Sequence, residues 1–424
     1  MLDKYLLKQI LLEQKEEIAG LLKGNAVVRD AYPAARKLLG SDLIKAVMGI
    51  RRCGKSFLSH QLLAGKKYGY VNFDDERFIG AKTSDLNSFF EVIKEIEPKT
   101  THLLLDEIQN INGWELFVNR LKRSGYNIVV TGSNSRLLSR ELATHLTGRH
   151  FTVELYPFSF REFLTIKGVS LAADDFYKTE ARAVIRKTLE DYLAAGGFPE
   201  AVRLESAGEY LRSLFDKIIT RDIVERYGVK YVRDLKEIAL LAVSYFGAKF
   251  SYHKIRKIFE VKSVHTVKNY MDYLEQSYLV FQLSPFSFKR TEMVRQARKL
   301  YCIDTGIINA IVPRVTVDRG RLIENAVFLQ LKRMGKEVYF YAQADFEIDF
   351  LVRSGTRIEQ LIQVCFSMAD SETRKRELKS LLKASEKFDC RDMLIITWDE
   401  EGEEVYNLKK IRIVPLWKWL VAPE

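Results

Sequence analysis

The sequence predicts an α/β protein: a parallel sheet with helices on both faces, followed by a helical lid and two further folded parts. Three observations lead there. Between residues 43 and 155, short apolar runs alternate with helical stretches, the pattern of strands buried on both faces. A glycine-rich loop of the form G-x-x-x-x-G-K-S stands between the first such run and the first such helix. The composition is that of a folded chain: 424 residues are 47% hydrophobic and 29% charged, enough for several cores and too apolar for wholesale disorder.

Taken in order, residues 1–23 read as a helix, with Leu2, Leu6, Ile10 and Leu21 or Leu22 near helical spacing. The strands that follow are Leu43–Met48, Tyr68–Phe73, His102–Leu105, Asn127–Val130 and Phe151–Leu155. Residues 158–230 are mostly helical, interrupted by Gly196-Gly197-Phe198-Pro199. Three helices are expected at Leu235–Phe246, Tyr252–Phe259 and Ser263–Gln276, then an extended stretch at Tyr278–Leu283. Beyond residue 296 the pattern is mixed α/β again. Helices are expected near 321–334 and 371–387, and strands near 337–341, 347–352, 360–366 and Met393–Thr397.

Several function classes are excluded at this level. Cys53, Cys302, Cys365 and Cys390 form no closely spaced metal-ligand pair, and they are too few for a disulfide framework. The N-terminal helix is interrupted by Lys4, Lys8, Glu13 and Lys15, which no signal peptide tolerates. No run of 18 apolar residues occurs. The expected location is the cytoplasm, with no membrane partner. Lys and Arg number 67 against 56 Asp and Glu, a net +11 that suits a polyanion without specifying one.

The chemistry begins at Gly49-Ile50-Arg51-Arg52-Cys53-Gly54-Lys55-Ser56, followed by Phe57. A strand precedes this loop and a helix follows it, the context a phosphate-binding loop requires. Glycines let backbone N–H groups turn toward phosphate oxygens, and the helix aims its positive end at the same place. Lys55 is expected to reach the β- and γ-phosphates and Ser56 to ligate Mg²⁺. Leu103-Leu104-Leu105-Asp106-Glu107 supplies the matching acids at a strand end. Asp106 would hold Mg²⁺ and Glu107 would polarise the attacking water. After the next strand, Ser133 and Asn134 either contact the γ-phosphate or lytic water, or cap the following segment. Arg149 is either an arginine finger, in cis or toward a neighbouring subunit of a homo-oligomer, or a surface ion-pair partner. The chain carries no Asn-Lys-x-Asp guanine signature, which favours ATP.

With these residues in hand, the stretch from about 30 to 400 resembles a widespread prokaryotic family of AAA-like P-loop ATPases fused to a C-terminal domain of unknown function. The matching pieces include the loop with its Arg51-Arg52 insert, Asp74-Asp75-Glu76, Leu105-Asp106-Glu107-Ile108-Gln109, Thr131-Gly132-Ser133 and Gly148-Arg149. Pro157–Phe163, Gly196–Glu200, Asp304-Thr305-Gly306, Glu324-Asn325 and Glu347–Phe350 continue the match. The resemblance implies an AAA-like fold and ATP binding.

The helices and extended stretch between 235 and 290 have winged-helix spacing, and the third helix would offer His265, Lys268 and Asn269 to a DNA major groove. Residues 251–300 hold ten basic residues against four acidic, a net +6. This surface serves either double-stranded DNA or a docked protein. Residues 320–400 resemble the restriction-endonuclease-like fold. Glu324 and Asp349 occupy its first two site positions, but Gln363 and Cys365 stand where an acid and a lysine belong. A lysine could have migrated to Lys375 or Lys379. Otherwise the site is degenerate and Asp349 pairs with Arg353 or Arg357. The expected division is an N-terminal helix (1–30), an AAA-like ATPase core (31–165), a helical lid (166–230), a winged-helix-like part (231–295) and a degenerate nuclease-like domain (296–424). The expected activity is Mg²⁺-dependent ATP hydrolysis coupled to a partner. A slow nucleotide-regulated switch is the alternative, and an active nuclease a more remote one.

Overall fold

In the computed structural model, residues 3–22, 27–134, 150–313, 318–343, 345–406 and 408–422 are described. The chain forms two compact units: Met1–Tyr156 with Gln276–Tyr278, and Pro157–Glu275 with Leu279–Glu424.

The first unit is built on five parallel strands in the order β2-β3-β4-β1-β5. They are β1 (Ile44–Met48), β2 (Tyr68–Asn72), β3 (His102–Asp106), β4 (Asn127–Gly132) and β5 (His150–Glu154), each within two residues of its predicted place. β1 is buried at every position, and β3 and β4 at all but the first. This is why the sequence shows near-continuous apolar runs there rather than alternation. Among the described residues, the α-helices of this unit are α1 (Lys4–Leu22), α2 (Tyr32–Leu38), α3 (Lys55–Leu62), α4 (Leu86–Ile96) and α5 (Trp114–Arg123). α4 buries Leu86, Phe89, Val92 and Ile93 on one face, each side chain stabilising by about 1.5–3 kcal/mol. α1 lies against α4 and β2. Its buried Gln14 donates to Asn72 O (3.1 Å) and accepts from Asn72 N (2.9 Å), clasping the backbone of an edge strand.

The second unit opens with the helices Phe160–Ile166, Thr179–Ala195 and Ala207–Lys217, the last running into a π-helical stretch, Ile218–Glu225. The helices Val232–Ser244, Tyr252–Ile258 and Val264–Gln276 follow. Three antiparallel strands come next in space: β6 (Lys249–Phe250), β7 (Val280–Leu283) and β8 (Arg298–Cys302), ordered β6-β8-β7. β8 was not expected. It lies beyond residue 296, yet it is the central strand of a sheet whose other members come before 295.

A six-stranded mixed sheet completes this unit: β9 (Glu337–Ala342), β10 (Glu347–Ser354), β11 (Arg357–Val364), β12 (Met393–Thr397), β13 (Gly402–Tyr406) and β14 (Lys409–Pro415), ordered β13-β14-β12-β11-β10-β9. Helix Ser371–Phe388 packs Leu378, Leu381 and Ala384 onto Ile348, Leu351, Leu361, Ile395 and Ile411. Helix Arg319–Arg333 is buried continuously from Leu322 to Leu331. Neither strand of the hairpin β13–β14 was expected: β13 is mostly charged and exposed, with no apolar periodicity to read, whereas β14 does alternate, burying Ile411 and Ile413.

Three sequence motifs of this unit meet in one buried knot. Asp304 caps helix Thr305–Ile311 through Ile307 N (3.2 Å) and also accepts from Gly197 N at 2.7 Å. Gly197 O accepts from Phe158 N at 2.7 Å. Tyr192 and Arg333 both donate to Phe158 O, at 3.0 and 3.3 Å. Gly196 sits at φ 77°, and a Cβ there would stand 2.0 Å from Asp304 Oδ1. Burial pushes the Asp304 carboxyl up to about 6, against the pull of the N–H groups around it. Among the described residues, no helix is long and apolar enough to cross a membrane.

Candidate nucleotide-binding site

The loop between β1 and α3 is shaped by close approach. A Cβ on Gly49 would lie 2.0 Å from Leu155 O, so only glycine lets β1 turn beside the strand at its edge. Arg52 (φ 67°) and Gly54 (φ 98°) take left-handed backbone, and Gly54 is the N-cap of α3. Arg29 donates to Cys53 O (2.7 Å) and Tyr156 O (2.6 Å), fastening the loop from outside. Ile50 and Cys53 are buried beneath it. Burial pushes the Cys53 thiol up, so it stays protonated and serves as packing. Arg51 pairs with Asp74 at 3.0 Å. Ser56 and Phe57 lie half-buried in the first turn of α3.

The candidate side chains converge from three neighbouring strands. Lys55, only 4% exposed, places Nζ 3.1 Å from Glu107 Oε1 and 3.2 Å from Ile50 O. Glu107 follows β3, two strands away from β1, with β4 between them. Thr131 at the end of β4 bridges this gap. Its hydroxyl donates to Asp106 Oδ1 and accepts from Glu107 N at 3.0 Å. The Ser56 hydroxyl also hydrogen-bonds the Asp106 carboxyl. Glu107 adopts φ 50°, ψ 40°, a left-handed conformation that costs a non-glycine residue about 1–3 kcal/mol and is retained where surroundings impose it.

The two adjacent acids differ electrostatically. Burial pushes Asp106 up, the Glu107 charge adds to this, and the Ser56 and Thr131 hydroxyls oppose it. Burial also acts to raise Glu107, but Lys55 and Arg51, helped by the Gln109 amide, outweigh it and hold the carboxyl at about 2. Burial disfavours the charged form of Lys55, and Glu107 reverses that. An ionised carboxylate, an ammonium and a hydroxyl–carboxyl pair thus share one water-poor corner.

Ser133 and Asn134 are buried at the end of β4. Arg149 lies outside the described residues. Arg29 was missed by sequence reasoning, and Thr131 and Gln109 were named only as pieces of the family resemblance, without a role at the site. Thr131 carried a readable signal, a hydroxyl at the C-terminal end of a buried strand. Arg29 carried none.

Residues 41–164 match an AAA domain, and residues 186–317 match a domain of unknown function, DUF8612. The uncharacterized protein MJ1544 of Methanocaldococcus jannaschii is 34% identical, over 99% of this chain and 96% of its own. The chain belongs to the MJ1544 family of AAA-domain proteins. Another member, an uncharacterized protein of Haemophilus influenzae, is 30% identical over 90% of this chain and 95% of its own. Among solved structures, Cdc6p from Pyrobaculum aerophilum aligns with 62% of this chain and 90% of its own at 12% identity, with a TM-score of 0.29.

Elsewhere in this AAA-domain protein, His265 and Lys268 are exposed on helix Val264–Gln276. Asn269 is half-buried, its amide 3.2 Å from His265 Nδ1. Lys299, counted in the basic stretch, is buried and faces inward. The C-terminal positions give a correction. Asp349 pairs with neither Arg353 nor Arg357: Arg353 is taken by Glu337. Lys375 is exposed and pairs with Glu372 instead. The lysine that meets Glu324 and Asp349 is Lys299, from β8.

Proposed function

We propose that this chain binds Mg²⁺·ATP in the loop Gly49–Phe57, hydrolyses it, and uses nucleotide state to change its grip on a partner, double-stranded DNA. The observation that carries the reading is the convergence of Lys55, Asp106 and Glu107 through Thr131. Ser56 and Asp106 offer two hard oxygen donors. Among the described residues no group of three or more His, Cys, Asp or Glu is placed to hold a metal. The donor set therefore fits an ion that keeps most of its water and arrives with phosphate, as Mg²⁺ does. Mg²⁺ would neutralise charge on the β- and γ-phosphate oxygens. Lys55 supplies a further positive charge, the loop N–H groups orient the phosphates, and Glu107 accepts the proton of the attacking water. Ser133 and Asn134, buried just beyond β4, would order that water.

In this reading Lys55 has two partners, and its contact with Glu107 keeps the base occupied. A γ-phosphate that draws Lys55 away releases the carboxylate for water. The same contact supports the second reading, a slow switch whose basal turnover is low. Steady-state ATP hydrolysis with and without duplex DNA distinguishes the two. Glu107→Gln should retain Mg²⁺·ATP binding and lose turnover by ~10²–10⁴-fold, while Lys55→Ala should lose binding as well. Unchanged turnover in Glu107→Gln would remove Glu107 from this role.

We read β6–β8 with helices Tyr252–Ile258 and Val264–Gln276 as winged-helix-like, and β9–β14 with helix Arg319–Arg333 as restriction-endonuclease-like. Antiparallel pairing of β9–β11, parallel pairing of β11 and β12, and Glu324 and Asp349 on adjoining elements support the second assignment.

A further inference from the structure

The restriction-endonuclease-like reading implies a divalent metal between Glu324 and Asp349, and the residues present do not fit one. Lys299 Nζ lies 2.9 Å from Asp349 Oδ1, 3.0 Å from Glu324 Oε1 and 3.0 Å from Glu347 Oε1. An ammonium has three donors, and each is used. Two of these carboxylates make a further contact each. Asp349 Oδ2 accepts from Val364 N at 3.0 Å, and Tyr301 donates to Glu324 Oε1 at 2.6 Å. Gln363, at the usual acid position, accepts from Asp349 N at 2.8 Å and donates to Glu347 O at 3.1 Å. It braces the backbone of the strand that carries Glu347 and Asp349 and adds no charge. Cys365 is buried and its thiol pushed up to about 12, first by burial, so it offers no thiolate.

We infer that Lys299 is a resident cation standing in the place of the metal, and that the C-terminal domain is therefore not a metal-dependent nuclease. The inference rests on the restriction-endonuclease-like reading of this sheet. Removing Lys299 from its three carboxylates would strand buried charge, which a protein interior strongly disfavours. Burial alone works against the charged lysine, yet Asp349, Glu324 and Glu347 together hold it protonated well above the ordinary range. An ammonium presents no open coordination position and cannot activate water as a bound divalent ion does. The lysine comes from β8, the central strand of the three-stranded sheet. Lys249 on neighbouring β6 reaches Glu347 at 2.6 Å. The cation that orders the carboxylates thus also ties the two sheets of this unit together.

The test is to count bound Mn²⁺ by titration calorimetry on the full chain without nucleotide. Wild type and Asp349→Asn should bind the same number of ions. Lys299→Ala should bind one more, gain about 5 °C in unfolding midpoint in millimolar Mn²⁺, and lose both in the double variant with Asp349→Asn. Wild type should leave supercoiled DNA intact across a panel of divalent metals. A folded Lys299→Ala that gains no ion overturns the inference and the restriction-endonuclease-like reading together. A wild-type ion or nicking activity lost in Asp349→Asn overturns the inference alone and leaves that reading standing. If Lys299→Ala folds neither with nor without Mn²⁺, the comparison of wild type with Asp349→Asn decides.

Discussion

Glu107 and Asp106 are neighbours in sequence with opposite surroundings, and this difference has a pH signature. Glu107 lies at about 2 in the folded chain against an ordinary value of 4.5. The folded state therefore favours its ionised form. That contribution is complete above about pH 4.5 and is lost as pH falls through 2. Thermal unfolding followed from pH 6 to pH 3 should show the wild-type advantage over Glu107→Gln shrinking below pH 4.5. A constant difference would mean that Lys55 does not hold this carboxylate. The motif residues were legible because a phosphate loop and a strand-end acid pair have fixed spacing. Thr131 was legible only as part of a strand, since its role depends on β4 lying between β1 and β3. That order is a property of the folded sheet, which no local pattern encodes.

At the scale of elements, the five parallel strands were readable because strands buried on both faces leave unbroken apolar runs. β8 was not, because Arg298-Lys299 at its start looks like surface charge. Its burial depends on carboxylates 25 to 50 residues further along the chain. The Gly196-Gly197 break is explained by the same kind of distant partner. It interrupts helical sequence so that backbone can approach Phe158 and Asp304 closely. Gly196→Ala would bring a methyl group against Asp304 and hold a left-handed conformation, so a loss of about 3 kcal/mol or more is expected. Asp304→Asn should cost less, since an amide oxygen can still accept one of the two N–H bonds. Chemical denaturation of the two variants checks the ranking, and a Gly196→Ala protein as stable as wild type would deny the knot its structural role.

For the whole molecule, the net charge of +11 suggested a polyanion, but the structure redistributes that charge. Lys299 is spent internally, and many surface cations, such as Arg77 with Glu13, are paired. Exposed pairs of this kind add little stability. On helix Val264–Gln276 the exposed cation is Lys268. If duplex DNA binds there, affinity should fall steeply with salt, each neutralised phosphate contributing about 0.9 to the log–log slope. Lys268→Ala should lower that slope by about 1. Fluorescence anisotropy over a salt series measures both quantities. A slope unchanged by Lys268→Ala would place the contact surface elsewhere, and no binding at low salt would favour a docked protein.

Gln14 has a consequence for how this protein keeps to itself. β2 ends the parallel sheet, and an open strand edge invites a second chain to add on by backbone pairing. A primary amide carries the same donor and acceptor as a peptide group, so Gln14 satisfies both backbone groups of Asn72 as one residue of a further strand would. Being attached to a helix, it cannot be followed by another strand. α1 thereby blocks strand addition at Asn72, on the β2 edge of the sheet.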